Sequence, residues 1–210
     1  MTLTQTVQKP RRKRDQLLLG AREVFMAHGY AGASVDEIAR VAGVSKATLY
    51  SYFADKAHLF NEMYRTELLR LADSAVEILA ESVPPERALG EAARRIVDYV
   101  TSDFALAMFR ICVSETPRFP EIGRAFFENG PELGRARLGK YLRAATARGA
   151  LSIEDVDLAA DQFLQLCQTR LIDQQLCGVQ PHPPEDEMRK IANGAVEMFL
   201  ARYASPEPHR

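Results

Sequence analysis

The sequence predicts an all-α protein of about nine helices, with a small N-terminal domain of three helices followed by a larger helical domain. Apolar residues recur every three to four positions along most of the 210-residue chain, which is the spacing of one helix face. Serine, aspartate, glycine and proline interrupt these stretches where helices would begin and end. Hydrophobic residues make up 47% of the chain, enough to bury a core.

The first predicted helix lies within residues 11–28, where apolar residues recur at helical spacing. Its apolar stripe consists of Leu17, Leu18, Ala21, Val24 and Phe25. Gly29 can adopt the left-handed conformation that ends a helix, and we expect Tyr30 to fold back as an apolar anchor.

Two short helices follow, joined by a glycine turn. Ser34 precedes Glu37 by three residues, the spacing of a capping box at a helix start. Gly43 ends this second helix, and Ser45 is positioned to cap a third helix that runs to about Tyr52. Two short helices joined in this way form a helix-turn-helix.

The third helix has an apolar side and an unusually polar side. Val44, Leu49 and Phe53 have the spacing to hold it against its neighbours. The outward positions are Lys46, Ala47, Thr48, Tyr50, Ser51 and Tyr52. Lysines and hydroxyl groups suit phosphate oxygens, and small side chains let a backbone approach base edges. This pattern favours DNA binding, although helical bundles also contain helix-turn-helix elements that bind no DNA.

The remaining helices are predicted from periodicity and proline breaks. Asp55 is expected to cap a long fourth helix with an apolar side at Leu59, Phe60, Met63, Leu68, Leu71, Ala72, Ala75 and Leu79. After Pro84 and Pro85, we expect helices at about 86–102, 103–115, 120–148, from Asp155 or Asp157 to Cys177, and 185–203. Gly130-Pro131 is expected to kink or split the 120–148 helix.

Charge is distributed unevenly along the chain. Residues 1–56 carry nine Lys or Arg and five acidic residues, a net charge of +4, whereas the remainder carries −5. A basic N-terminal part on an acidic body indicates contact with a polyanion, unless the asymmetry is incidental.

Several other classes of protein are not favoured. No apolar run approaches the roughly 20 residues of a membrane span, and no signal-peptide pattern follows the N-terminus, so we expect a cytoplasmic protein. Three cysteines and four histidines lack the spacing of a zinc site, and we expect no metal or cofactor. No acid, base and nucleophile set is evident, so an enzyme is not expected. A helical protein-interaction module is the remaining alternative.

Residues 34–60, SVDEIARVAGVSKATLYSYFADKAHLF, resemble the DNA-binding segment of the TetR/AcrR family of bacterial transcriptional regulators. The matching positions are Ile38-Ala39, Ala42-Gly43-Val44-Ser45, Leu49-Tyr50, Tyr52-Phe53 and Lys56. The resemblance covers less than a quarter of the chain, and Ser34 stands where the family often has threonine.

This resemblance implies a set of DNA-binding residues: Ser34, Gly43, Ser45, Lys46, Ala47, Thr48, Tyr50, Tyr52 and Lys56. Lys46 and Ala47 would read base edges, with Lys46 the candidate for a guanine contact. Thr48, Tyr50, Tyr52 and Lys56 would bind phosphates. Ser34 would place a helix N-terminus against a phosphate. The basic cluster at residues 11–14 precedes the first helix, and it is either an arm on the DNA or a solvated tail.

The resemblance also implies a C-terminal domain for ligand binding and dimerisation, in which the stretch RICVSETPRFPEIGRAFFENGP is similar to an AefR-like subgroup. Candidate pocket residues are Phe104, Met108, Phe109, Cys112, Phe126, Phe127, Phe163 and Gln168, for each of which ordinary core packing is the alternative. Candidates for a four-helix dimer seam, or for the core beneath it, are Leu158, Phe163, Leu166, Ile191, Ala195 and Met198.

Together these inferences predict a ligand-responsive, sequence-specific DNA-binding regulator. We expect a homodimeric repressor that a small molecule releases from a palindromic operator in double-stranded DNA. The predicted domains are a disordered basic arm at 1–10, the helix-turn-helix domain at 11–56, the ligand-binding and dimerisation domain at 57–204, and a tail at 205–210.

Overall fold

The computed structural model describes residues 8–73 and 83–205, and the predicted all-α class is confirmed. The α-helices are α1 Gln8–Gly32, α2 Val35–Val41, α3 Lys46–Tyr52, α4 Lys56–Asp73, α5 Pro85–Val100, α6 Asp103–Glu115, α7 Pro120–Phe127, α8 Leu133–Ala147, α9 Val156–Leu166, α10 Leu171–Leu176 and α11 Glu185–Tyr203. A π-helical turn, Glu128–Glu132, joins α7 to α8.

These helices form two compact units. Unit 1 contains residues 1–69 and 107–129, and unit 2 contains residues 70–106 and 130–210. Both α4 and α6 therefore begin in one unit and end in the other. The boundary predicted after residue 56 separates a DNA-binding part of the chain from a ligand-binding part, and it stays a prediction.

The first helix begins earlier than the sequence indicated. Residues 8–10, which were expected to belong to a disordered arm, are helical, and the basic cluster at 11–14 lies inside α1 rather than before it. Proline is tolerated in the first turn of a helix, and arginine and lysine are good helix formers. Residues 1–7 of the predicted arm lie outside the described residues, as do Ala75, Leu79 and the tail beyond Ser205.

The 120–148 stretch is divided at the predicted place. Pro131 has no N–H and its ring would clash with a carbonyl one turn earlier in a regular helix. The π turn provides the extra room at this point. Asn129 Nδ2 donates to Ala125 O at 2.8 Å and to Asn61 Oδ1 at 2.7 Å, so the turn is also held from α4.

The predicted 155–177 helix is also divided, although the sequence indicated a continuous one. Asp155 is the residue that caps α9, and its Oδ1 accepts from Leu158 N at 2.9 Å. Thr169 Oγ1 donates to Leu166 O at 2.7 Å, and Arg170 adopts a left-handed conformation with φ 53°. Arg170 Nη2 lies 2.6 Å from Glu187 Oε1 on α11. This non-local ion pair accompanies a backbone conformation that is uncommon for a residue other than glycine.

The core of unit 2 is built from the facing sides of α5, α8, α9 and α11. Its fully buried members include Leu89, Leu142 and Phe163, and the Phe163 ring meets Phe199 edge to face at 5.2 Å. Gln175 is a buried polar residue that donates to Thr101 O at 3.1 Å and Pro181 O at 3.0 Å. These bonds tie α10 to two loops.

The core of unit 1 is aromatic. Tyr30 is buried, as expected, with its ring 5.9 Å from Phe25, 5.4 Å from Phe60 and 5.1 Å from Phe119. Gly29 has φ 69° and allows the chain to turn just before this anchor. Burial raises the pKa of Tyr30 to about 12, and the nearby carboxylates add to the shift.

Candidate DNA-binding surface

The helix-turn-helix has the predicted caps. Ser34 Oγ accepts from Glu37 N at 3.1 Å, and Ser45 Oγ accepts from Thr48 N at the same distance. Asp55 Oδ1 accepts from His58 N at 2.7 Å. Each cap satisfies an N–H that a helix start leaves without a partner, so three local sequence signals fix the starts of α2, α3 and α4.

The turn between α2 and α3 requires glycine. Gly43 has φ 66°, and Val44 N donates to Ala39 O at 3.0 Å to close the turn. Gly20 on α1 is a second glycine at a close approach, and sequence reasoning missed it. A Cβ on Gly20 would lie 3.0 Å from both the Cβ and the N of Ala42, so the missing side chain lets α1 and α2 approach closely. The only signal in the sequence was a glycine inside a helical stripe.

The two faces of α3 are divided as predicted. Leu49 and Phe53 are fully buried beneath the helix. Lys46, Ala47, Tyr50 and Ser51 are exposed, and Thr48 and Tyr52 are half-buried. Tyr50 keeps 47% of its surface accessible although it is a large aromatic residue. The exposed face carries one ammonium group, several hydroxyl groups and one small side chain, with no side-chain amide. Such a face is chemically suited to contacts with phosphates and base edges.

Lys46 does not stand alone on this face. Its Nζ lies 2.9 Å from Asp36 Oδ1 and 3.0 Å from Asp36 Oδ2, across the gap between α3 and α2. The hydrogen bond and charge of Asp36 raise the pKa of Lys46. Asp36 was noticed in the sequence only as part of the start of α2.

Lys56 has structural contacts that the sequence did not reveal. Its Nζ donates to Tyr30 O at 2.8 Å and to Ala33 O at 3.1 Å, and it lies 4.5 Å from the centre of the Tyr30 ring. Partial burial lowers the pKa of this lysine. Two of its three ammonium N–H donors therefore hold the turn between α1 and α2 onto α4. These contacts favour a structural role for Lys56 over the phosphate contact predicted from the sequence.

A second contact to the same turn comes from α6. Glu115 Oε1 accepts from Ala31 N at 3.1 Å, and Phe119, just beyond α6, packs on Tyr30. All of these residues belong to unit 1. The helix-turn-helix is thus supported by residues more than 80 positions away in the chain.

The basic cluster at the start of α1 is partly engaged within the fold. The Arg14 guanidinium pairs with Glu62 on α4, while Arg12 and Lys13 are exposed. Only the latter two side chains of the described part of this cluster are free of the α1–α4 packing to approach a polyanion.

The predicted pocket residues are distributed over both units. Phe104, Phe163 and Gln168 lie in unit 2, and the other five lie in unit 1. Phe109, Phe126 and Tyr64 form an aromatic cluster, with Phe126 5.6 Å from Tyr64 and 6.0 Å from Phe109.

The other candidates differ widely in burial. Met108 and Cys112 are buried, whereas Phe127 is 54% exposed. Gln168 Nε2 donates to Leu164 O at 3.0 Å, so its amide is engaged in its own chain. A ligand role for these eight residues stays a prediction.

A groove of about 460 Å³ lies in unit 2 between α9 and α11, and we call it the α9/α11 groove. It is lined by Gln162, Gln165, Leu166, Thr169, Met198, Phe199, Arg202 and Tyr203. Of the predicted seam residues, Leu158 and Met198 are 51% and 63% exposed, whereas Phe163 and Ala195 are buried in the core. The structure thus separates these four predicted seam residues into surface and core positions.

Two further properties concern the described residues alone. Within residues 8–73 and 83–205, no helix is both long and apolar enough to cross a membrane. In the same ranges, no three His, Cys, Asp or Glu side chains are grouped as metal ligands would be.

Comparison with known proteins supports the same reading over nearly the whole chain. Residues 17–63 match the model for bacterial regulatory proteins of the tetR family. Residues 87–205 match the model for the C-terminal domain of AefR-like transcriptional repressors.

Individual relatives agree with these family models. A TetR-family regulator from Mesorhizobium loti is 29% identical, with a TM-score of 0.83 over 93% of this chain and 98% of that chain. The flavonoid-responsive regulator FrrA is 32% identical, with a TM-score of 0.78 over 94% of this chain and 99% of that chain. The transcriptional activator FasR of Mycolicibacterium smegmatis is 34% identical over 43% of this chain, and the match spans 42% of FasR.

TetR-family regulators bind DNA through a helix-turn-helix, form dimers and respond to small molecules, and they are not enzymes. The caps, the glycine turn and the exposed face of α3 provide the physical basis of that DNA-binding element here. The chain therefore belongs to the TetR family and is a transcriptional regulator with a helix-turn-helix DNA-binding domain.

Proposed function

We propose that this regulator is a homodimeric repressor that binds a palindromic operator and is released by a small molecule. The observation that carries the repressor assignment is the match of residues 87–205 to an AefR-like repressor domain. FasR, which is an activator, matches a smaller part of the chain. A repressor needs only to occupy a promoter, so no activating surface has to be assumed.

The proposed DNA contacts are those of the exposed face of α3. Lys46 and Ala47 approach base edges from the first turn of α3, where recognition helices make such contacts. Thr48, Tyr50 and Tyr52 contact phosphates, and the N-terminus of α2 at Ser34 lies beside the backbone. A two-fold dimer presents two such helices to major grooves roughly 34–36 Å apart, which requires an approximately palindromic operator.

The dimer contact is proposed to lie on the outward sides of α9 and α11. Leu158 and Met198 are large apolar residues left exposed on these helices, and Met198 also lines the α9/α11 groove. Exposed apolar patches of this kind mark interaction sites. Met198→Glu should convert the dimer to monomer in light scattering, whereas Val179→Glu, at an exposed loop position, should leave it dimeric. Dimers that persist in the Met198 variant would place the contact elsewhere.

The effector is proposed to be an aromatic small molecule. FrrA, with which this chain shares 32% identity over 94% of its length, is described as flavonoid-responsive. Phe109, Phe126 and Tyr64 supply aromatic surface in unit 1. By linkage, an effector that weakens operator binding must itself bind the DNA-bound protein more weakly by the same factor. A panel of flavonoids would be screened for release of the protein from its operator.

The first test is DNA binding by the full chain. The protein would be incubated with a duplex library containing a random 24-base-pair core, and bound sequences would be enriched and sequenced. We expect a palindromic consensus, and binding to it that exceeds binding to a scrambled duplex across several salt concentrations. Equal, weak binding to every sequence, after effector has been removed by denaturation and refolding, would contradict the proposal.

A further inference from the structure

The Asp36–Lys46 ion pair is well formed, although its contribution to the stability of the fold is expected to be small. The ammonium bridges both carboxylate oxygens at 2.9 and 3.0 Å, yet the two side chains are 70% and 52% exposed. Exposed pairs of this kind contribute little to folding. Both groups remain accessible to a partner approaching α2 and α3.

A carboxylate beside Lys46 is unfavourable if this surface contacts only the phosphates of DNA. DNA presents a dense row of phosphate charges, which repel an aspartate that only approaches the backbone. Lys46 is the first residue of α3, and first-turn residues of recognition helices contact base edges. Because Asp36 lies against the Lys46 ammonium, its carboxylate would be within reach of the same base edges. There an aspartate has a favourable partner, since carboxylates accept from the N4 amino group of cytosine.

The donor and acceptor of the pair match the edge of one base pair. A G·C pair presents guanine O6, an acceptor, beside cytosine N4, a donor, at about 2.9 Å, the length of the hydrogen bond that joins them. Lys46 Nζ and Asp36 Oδ1 present a donor beside an acceptor at 2.9 Å.

Thymine and adenine also offer an adjacent acceptor and donor. However, an ammonium has three N–H donors. With one donated to Asp36 and one to guanine O6, the third can be donated to guanine N7. Thymine presents a methyl group there.

We propose that Asp36 is a specificity-determining residue, and that Asp36 and Lys46 together read a single G·C base pair in each half-site. Lys46 donates to guanine O6 and N7, and Asp36 accepts from cytosine N4. This inference rests on the proposed operator binding and adds a residue and a base pair to it.

The test compares Asp36→Ala, Lys46→Ala and the double variant on the operator consensus and on duplexes with each base pair replaced in turn. Glu37→Ala is the matched control, because it removes a carboxylate from the next position of α2 without touching Lys46. Circular dichroism melting would show that each variant is folded. Lys46→Ala identifies the base pair at which preference is lost.

We expect Asp36→Ala to reduce discrimination by at least about fivefold at that same G·C pair and at no other. The double variant should lose no more discrimination there than Lys46→Ala alone, since coupled residues are not additive. The inference is overturned if Asp36→Ala tightens binding to all duplexes equally, as loss of a negative charge would, or if it changes nothing. If the wild-type protein enriches no sequence, the proposed function itself has failed.

Discussion

Replacing Lys56 distinguishes a structural lysine from a phosphate contact. Lys56→Met keeps the aliphatic stem but removes the two hydrogen bonds to Tyr30 O and Ala33 O. Each bond from a charged donor contributes about 1.5–3 kcal/mol, and the contact with the Tyr30 ring adds about 0.5–1 kcal/mol. The site is only half-buried, so water can replace part of these interactions in the variant. We therefore expect a loss of about 2–3 kcal/mol in the free energy of unfolding.

The assay is urea unfolding followed by circular dichroism, at one protein concentration because the stability of the proposed dimer would depend on that concentration. Lys46→Met is the matched control, since it makes the same substitution at an exposed lysine, and it should reduce the free energy of unfolding much less than Lys56→Met does. The salt dependence of DNA binding is measured in parallel, because loss of a phosphate contact lowers the slope by about 1.

We expect Lys56→Met to leave the salt slope unchanged. The reasoning is refuted if this variant is as stable as Lys46→Met and its slope falls by about 1. In that case the carbonyl contacts would be incidental, and Lys56 would bind a phosphate.

Three further predictions concern single positions. Gly43→Ala should lower the free energy of unfolding by about 1–2 kcal/mol in urea titrations, because φ 66° disfavours a Cβ; an unchanged midpoint would show that the turn relaxes. Gly20→Ala should cost about 1–3 kcal/mol through overpacking of α1 on α2, and a neutral result would mean that the helices separate freely. A thiol reagent at pH 8 should label Cys177 alone in the native chain, since burial raises the pKa of Cys112 and Cys167 to about 12; mass spectrometry finding a second label before denaturation would contradict this.

Local signals made the helix-turn-helix readable from the sequence. Ser34, Ser45 and Asp55 cap helices through bonds to residues three positions away, and Gly43 acts through its own backbone angle. Such interactions depend on neighbouring residues alone, so the pattern of residue types is sufficient to predict them.

Interactions between distant residues escaped prediction. Lys56 reaches carbonyls 23 and 26 positions away, and Arg170 pairs with Glu187 17 positions away. The structural contacts of Lys56 depend on these partners, and the Arg170–Glu187 pair accompanies the break between α9 and α10. Seven of the eight predicted ligand residues are apolar, and apolar character is common to core and pocket positions.

The make-up of unit 1 has a consequence for how the protein is synthesised. Residues 1–69 and 107–129 complete this unit together, and Tyr30 and Tyr64 pack against Phe119 and Phe126 of the later segment. On the ribosome, the DNA-binding region therefore emerges well before the residues that cover these two rings. A fragment that ends at residue 69 would lack the two phenylalanines that pack on these rings. Fusions that use this DNA-binding element should therefore retain the chain through residue 129.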